Sequence, residues 1–327
     1  MGGGRGFCAG FVRQGRAFGV ENAGPDARSG AAADEIGLDG GMDARLPTYF
    51  ISHGGGPWPW IEDLLPGDFG PLSASLRQIP RELGVRPRAV LVISGHWEEP
   101  AFTVQSSPHP PMLYDYGGFP EFTYHLQYPA PGSPEVAARV LELLGAAGIE
   151  ARADDRRGFD HGVFAPLYVA WPDADVPILQ LSMRHGYDVD EHLAVGRALA
   201  PLRDEGVLIV GSGFSFHNLR LFGAAGARPS AEFEAWLTDA VAAGPVAERS
   251  ARLRRWAAAP SARIAHPAED HLVPLFVAVG AAEDEAGVRM YHEASFMGSI
   301  TSASYRFGLL PSASAASTVD ASIHPGV

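Results

Sequence analysis

The sequence contains no lysine and only one cysteine, Cys8. A single cysteine cannot form an intrachain disulfide, which is typical of a reducing compartment, and we expect a cytoplasmic protein. No run approaches the roughly 18 consecutive apolar residues of a membrane span, so we expect no membrane association. The 25 basic residues are outnumbered by 38 acidic residues. The resulting net charge of −13 repels a phosphate backbone, and we expect no nucleic-acid partner.

Both ends of the 327-residue chain lack a periodic apolar pattern. Residues 1–45 are rich in glycine, alanine, arginine and aspartate, and residues 311–327 are rich in serine and alanine. Segments of this kind bury too little apolar surface to fold, and we expect both to be disordered. The sequence therefore predicts a single folded domain over residues 46–310, and it predicts no particular oligomeric state.

The middle of the chain alternates between short apolar runs and longer stretches with helical spacing. Four apolar runs predict buried strands at residues 48–52, 89–94, 177–182 and 207–212. Helices are predicted at about residues 134–144, 189–202, 231–243 and 267–279, and a late hairpin at residues 288–307. His192 is expected on an exposed helix face. Strands that alternate with helices predict an α/β fold, a single domain with a central, mostly parallel but mixed sheet flanked by helices.

The twelve histidines are the most informative feature of the sequence. Three of them, His53, His96 and His217, follow closely after three predicted strands. In open α/β sheets ligands bind beyond the carboxyl ends of the strands, and imidazole is a common ligand of zinc, iron, copper and nickel. A single histidine after a strand is more often a hydrogen-bonded loop residue, but three at equivalent strand ends favour a shared metal site. His271 and His161 lie next to further helical segments.

Other motifs argue against alternative chemistries. The triplet Gly54–Gly56 lacks both the G-x-G-x-x-G spacing and a Walker lysine, so we reject nucleotide binding. The segment at residues 211–215 contains serines but no G-x-S-x-G nucleophile elbow. Trp58, Trp60 and Trp97 neighbour the first two histidines, where they either pack or line a pocket for an aromatic substrate.

Eight segments of the core match those of a known enzyme family, in the same order. They are ISHGGGP (51–57), SGHW (94–97), YDYGGFP (114–120), YPAPGSPE (128–135), GFDHGVFAPL (158–167), PILQLS (177–182), GSGFSFHNLR (211–220) and HPAEDHLVPL (266–275). On these segments the chain resembles the class III extradiol ring-cleavage dioxygenases, in particular the branch that includes 4,5-DOPA dioxygenases. The resemblance covers most of residues 46–300 and does not extend to either end.

The resemblance implies a single non-haem metal bound by His53, His96, His217 and His271. His53 and His96 match the two histidines that hold ferrous iron in related enzymes, whereas His271 stands at the place of their glutamate. Fe²⁺ is therefore the metal expected for catalysis, and Zn²⁺ is an alternative in the same site. His217 matches the acid/base histidine of related enzymes, so it acts either as a catalyst or as a fourth zinc ligand. His161 matches a further pocket histidine beside the substrate.

The function implied by the resemblance is oxidative. An enzyme of this kind incorporates O2 into a small catechol-type aromatic and opens the ring next to its two hydroxyl groups. Two alternatives stay open: a zinc-dependent hydrolase that uses the same histidine cluster, and a non-catalytic metal-binding scaffold of the same fold. Among the three, only the dioxygenase consumes O2.

Deletion of residues 1–41 is predicted to leave folding and activity largely intact, because that segment has no apolar pattern to bury. Thermal unfolding and turnover of the truncated and full chains test this expectation. A large fall in the melting temperature of the truncated chain would show that the segment packs on the core.

Overall fold

The computed structural model describes residues 45–65 and 67–311. Most of the predicted extension and tail, including Cys8, lies outside the described residues. Eight strands form one sheet. In chain order they are β1 (Thr48–Ser52), β2 (Ala89–Glu99), β3 (Phe102–Gln105), β4 (Ala151–Asp154), β5 (Ile178–Arg184), β6 (Val207–Gly213), β7 (Gly287–Phe296) and β8 (Ile300–Phe307).

Helices of very different length connect the strands. The α-helices of the described residues are α1 (Gly70–Leu83), α2 (Pro134–Ala146), α3 (His161–Ala170), α4 (Val189–Leu199), α5 (Ala224–Thr238), α6 (Arg249–Leu253), α7 (Ala262–Ala265) and α8 (Val273–Gly280). None of the helices in this part of the chain is long and apolar enough to cross a membrane.

The strand order across the sheet is β4-β3-β5-β2-β6-β1-β8-β7. The central strands β5, β2, β6 and β1 run parallel to one another, and β3 and β4 form a further parallel pair. The hairpin β7–β8 pairs antiparallel with β1, and β3 pairs antiparallel with β5. The predicted α/β domain with a mixed sheet and a late hairpin is confirmed. Because β1, β2 and β6 are parallel neighbours, their carboxyl ends meet at one edge of the sheet.

Helices cover both faces of the sheet, and β6 shows this through the alternation of its side chains. The Ser212 hydroxyl donates to the carbonyl of Gly162 in α3. On the other face, a Cβ on Gly211 would lie 2.3 Å from the carbonyl oxygen of Pro274 in α8. Since only glycine permits this approach, α8 lies directly against the sheet.

The predicted start of one helix agrees with the structure, and that of another does not. Helix α2 begins where expected, with the Val136 N–H donating to the Ser133 hydroxyl and Pro134 in the first turn. The helix predicted from residue 267 begins only at Val273. The carbonyl of His271 is already engaged by the N–H of Phe214, which follows β6, so this segment forms turns against that strand.

His192 lies in α4 and is fully buried, so the predicted exposed position was wrong. Its Nδ1 lies 2.6 Å from the carbonyl oxygen of Asp188, and its Nε2 accepts the N–H of Arg184. The ring therefore donates through Nδ1, accepts through Nε2 and is neutral. Burial lowers its pKa from 6.5 to about 4.

The free energy of unfolding of the metal-free protein is predicted to fall as the pH drops from 6.5 to about 4. In this range the unfolded chain protonates His192 and the folded chain does not, which costs on the order of 3 kcal/mol at the acidic end. Denaturant unfolding at several pH values measures the slope. His192→Gln is expected to flatten it, and the exposed His109→Gln serves as the control. Equal slopes in both variants would contradict the assignment.

Candidate metal centre

Three histidines meet at the carboxyl edge of the central strands. His53 directly follows β1, and its N–H continues the ladder to the carbonyl of Gly213. His96 lies within β2 at a register shift, where an irregular backbone re-aims the side chain, and so it does not follow the strand as predicted. His271 lies two residues before the start of α8. The Nε2 atom of His96 lies 3.1 Å from Nε2 of His53 and 3.1 Å from Nε2 of His271.

The partners of the opposite ring nitrogens fix the tautomers of two of these histidines. Nδ1 of His271 lies 2.8 Å from the Asp270 carboxylate, which can only accept, so Nδ1 carries the proton. Nδ1 of His53 lies 3.0 Å from the hydroxyl of Ser212, whose own proton is donated to the Gly162 carbonyl. Ser212 therefore accepts from His53. In both rings Nε2 is therefore unprotonated and carries a lone pair.

The ring of His96 is protonated at the same nitrogen as the other two. Its Nδ1 faces the carboxylate of Asp115 at 3.5 Å, which favours a proton on Nδ1 and a lone pair on Nε2. Three lone pairs that face one another at this spacing repel, and a cation among them converts the repulsion into attraction. Two nitrogen ligands about 2.1 Å from a common ion lie about 3.0–3.4 Å apart, so the observed 3.1 Å separations fit a bound metal.

Burial keeps these imidazoles neutral. Desolvation, followed by the neighbouring histidines, lowers the pKa of His53 and of His96 well below the usual 6.5. Desolvation and His217 lower the pKa of His271 to about 4, although Asp270 opposes the shift. Neutral imidazole is the form that binds a metal, so the site does not have to lose protons near neutral pH before binding one.

Two glycines make room, one for the ring of His96 and one for the backbone of His271. A Cβ on Gly162 would lie 2.8 Å from Cδ2 of His96, and a Cβ on Gly213 would lie 2.1 Å from the carbonyl oxygen of His271. Larger residues at these positions would displace the imidazoles. The approach of α3 and of the segment before α8 to the sheet is therefore a condition for the cluster.

His217 and His161 flank the cluster. His217 stacks on His271 with ring centroids 3.4 Å apart, and its Nδ1 lies 3.7 Å from Asp270. It does not belong to the group of three converging Nε2 atoms, but with Asp270 and His271 it forms a second group whose possible ligand atoms lie within 4.8 Å of one another. His161 is the first residue of α3, and its ring centroid lies 4.0 Å from that of His96. The structure thus brings all five predicted site residues together, three at the centre and two at the side.

The tryptophans differ in role. Trp58 is fully buried and stacks on Phe69, and the indole of Trp97 donates to Glu99, so both pack as core residues. Trp60 is partly buried against Tyr168.

Sequence reasoning missed the partners of the histidines. Ser212, Asp115 and Asp270 hold Nδ1 atoms of the converging rings. Asp115 and Asp270 stand within the motifs YDYGGFP and HPAEDHLVPL. The motifs therefore contained both aspartates, but they did not indicate which imidazole ring each aspartate contacts.

Comparisons with known proteins identify the family of this chain. The family model described as the catalytic LigB subunit of aromatic ring-opening dioxygenase matches residues 49–308. Dioxygenase tasH of Hapsidospora irregularis is 40% identical over 75% of this chain and 81% of its own length. The 4,5-DOPA dioxygenase extradiol of Beta vulgaris is 38% identical, over 82% of this chain and 98% of its own. That of Escherichia coli K12 is 34% identical, over 81% and 95%.

A solved structure supports the same relationship. The crystal structure of an uncharacterized protein from Escherichia coli K12 has a TM-score of 0.64 and 31% identity, and it covers 81% of this chain and 100% of its own. Fold and site thus define an α/β protein of the oxygenase class with a histidine cluster able to hold a metal. The chain belongs to the family of the catalytic LigB subunit of aromatic ring-opening dioxygenases.

Alanine at His53, His96 or His271 is expected to lower metal affinity by more than the roughly 10–100-fold that follows loss of an outer-shell partner. Each variant removes one of the three converging nitrogen atoms. Calorimetric titration of the metal-free proteins with Fe²⁺ and with Zn²⁺ measures the affinity. His109→Ala, at an exposed position, should bind as the parent does. Unchanged affinity in all three variants would show that the metal binds elsewhere.

Proposed function

We propose that this protein is a metal-dependent extradiol dioxygenase that opens the ring of a small catechol-type aromatic with O2. The observation that carries the proposal is the convergence of three Nε2 lone pairs, on His53, His96 and His271, in a chain of the ring-opening dioxygenase family. We assign the activity to residues 46–310. The catechol as substrate class is supported by the relatives named 4,5-DOPA dioxygenase extradiol.

The ligand set suits Fe²⁺. Three protein ligands leave open coordination positions, as in other non-haem iron oxygenases, and a bound ferrous ion supplies the O2 chemistry that side chains lack. The carboxylate of Asp270 lies behind His271, so negative charge remains next to the site although a histidine stands where related enzymes have glutamate. Zn²⁺ fits the same nitrogens but offers no redox chemistry.

His217 is proposed as the general acid/base. Its Nδ1 edge faces Asp270, it is partly exposed, and it lies outside the three converging nitrogens. These features support a role in holding and moving a substrate proton more than a role as a fourth ligand. Histidine suits proton transfer near neutral pH.

His161 is proposed to contact the substrate on the other side of the cluster. Its ring lies 5.6 Å from that of His53 and 5.9 Å from that of Tyr116. Tyr116 belongs to an aromatic group with Tyr114, Tyr124, Phe119 and Phe164. Aromatic side chains next to a few polar groups are typical of a pocket for a small planar ligand.

Iron-loaded protein, prepared without oxygen, is expected to consume O2 when mixed with a catechol and to form a ring-opened product in equal amount. A panel of catechols with neutral, anionic and zwitterionic side chains defines the substrate class. Zinc-loaded protein is the matched control and should consume none. Hydrolysis of an ester or amide without O2 uptake would favour the zinc hydrolase. Metal binding without any turnover on the panel would favour the scaffold.

His217→Ala separates catalysis from metal binding. If His217 is the acid/base, iron content should stay near that of the parent while turnover falls roughly 10²–10⁴-fold. Metal analysis and O2 uptake on the same samples give both values. His161→Ala should also keep its iron, with weaker turnover of the catechol. Iron loss in proportion to activity in His217→Ala would make His217 a ligand instead.

A further inference from the structure

Asp115 joins two of the site histidines through one carboxylate. Its Oδ1 accepts the backbone N–H of His161 at 3.0 Å and lies 2.9 Å from Nδ1 of the same residue. Its Oδ2 lies 3.5 Å from Nδ1 of His96. The side chain is only 17% exposed, so water competes little for these contacts. A single carboxylate thus faces the Nδ1 edges of a central imidazole and of the flanking His161.

The loop that carries Asp115 is held firmly. The Leu113 N–H donates to the Phe159 carbonyl, and the Phe159 N–H donates to the Pro111 carbonyl, so the loop is paired with the segment just before α3. The hydroxyls of the residues on either side, Tyr114 and Tyr116, donate to backbone carbonyls at 2.6 Å each. The position of the carboxylate relative to His161 therefore follows from backbone pairing and two side-chain anchors.

The contact determines which nitrogen of His161 can act on a ligand. A carboxylate accepts and does not donate, so Nδ1 of His161 carries the proton and Nε2 is left as a lone pair. Nε2 has no hydrogen-bond partner among residues 45–65 and 67–311, and the ring lies beside those of His96 and His53. His217 differs, because its nearest carboxylate oxygen is 3.7 Å away and is bonded to His271.

We propose that Asp115 is a positioning residue that holds His161 as its Nδ1–H tautomer and so aims an acceptor nitrogen at a hydroxyl group of the bound catechol. The tautomer follows from the geometry alone, whereas the catechol hydroxyl as its target rests on the proposed function. Asp115 acts through His161 and does not itself touch the substrate.

The first test uses the metal-free protein and no substrate. Histidine labelled with ¹⁵N reports the tautomer by NMR at alkaline pH, and the signals of His161 are those lost in His161→Ala. The wild type should show the Nδ1–H form. Asp115→Ala should shift His161 towards the Nε2–H form that a free imidazole prefers. Asp115→Asn should keep the Nδ1–H form, because the amide oxygen can replace Oδ1.

Asp154→Ala is the matched control. Its carboxylate also accepts backbone N–H groups, from Arg156 and Arg157, but it contacts no histidine. The tautomer of His161 should not change in this variant. An Nε2–H form in the wild type would overturn the proposal without any variant, and so would a tautomer that Asp115→Ala leaves unchanged.

The second test measures catechol affinity in iron-saturated protein without O2. Asp115→Ala and His161→Ala should each weaken binding roughly 10-fold, as expected for a lost hydrogen bond. The double variant should bind no more weakly than His161→Ala alone, because both changes remove the same hydrogen bond to the catechol and every variant is compared at the same full iron content, which controls for the contact of Asp115 with His96. Additive losses would indicate a general structural role and overturn the proposal. A tautomer of His161 that does not change in Asp115→Ala would refute this inference alone. Absence of O2 uptake in the wild type would refute only the proposed function.

Discussion

The site depends on one electrostatic constraint, the placement of three imidazole lone pairs that face one another, with Nε2 of His96 3.1 Å from Nε2 of each of the other two rings. The mutual repulsion of these lone pairs is unfavourable, and elements that are far apart in the sequence hold them together. His53 comes with β1, His96 with an irregular part of β2, and His271 with the approach of α8 to the sheet. A metal ion bound there would relieve the repulsion that the fold imposes, so the fold is pre-organised for binding.

The groups that contact the Nδ1 atoms determine that the lone pairs lie on Nε2. Ser212, Asp115 and Asp270 each accept at, or face, an Nδ1 atom and thereby leave Nε2 free. The two carboxylates also face the flanking histidines, Asp115 towards His161 and Asp270 towards His217. Each aspartate thus faces one inner and one outer ring. Of the two outer rings, His161 lies at hydrogen-bond distance from its aspartate, whereas His217 lies 3.7 Å from Asp270. The two flanks are therefore chemically unequal.

Local patterns predicted what depends on neighbours in the sequence. The buried central strands, the capped start of α2 and the late hairpin all follow from apolar runs, capping residues or turn residues. Strand β3 and the edge strand β4 were missed because a run of only four residues carries little periodic apolar signal. The motifs named the five histidines that the structure brings together, but they did not predict the contact of Asp115 with His161. It arises from pairing between loop segments near residues 112 and 159, which no local pattern encodes. Burial of His192 likewise depends on tertiary packing.

The strand order has a consequence for how the protein is made. Strand β1 lies between β6 and β8, although it is the first strand in the chain and β8 is the last. His53 therefore reaches its final position only after most of the chain has left the ribosome, and His271 is itself synthesised late. A nascent or truncated chain that ends before His271 contains two of the three converging nitrogens and lacks the third. Assembly of the three-nitrogen cluster thus requires a chain that extends beyond His271.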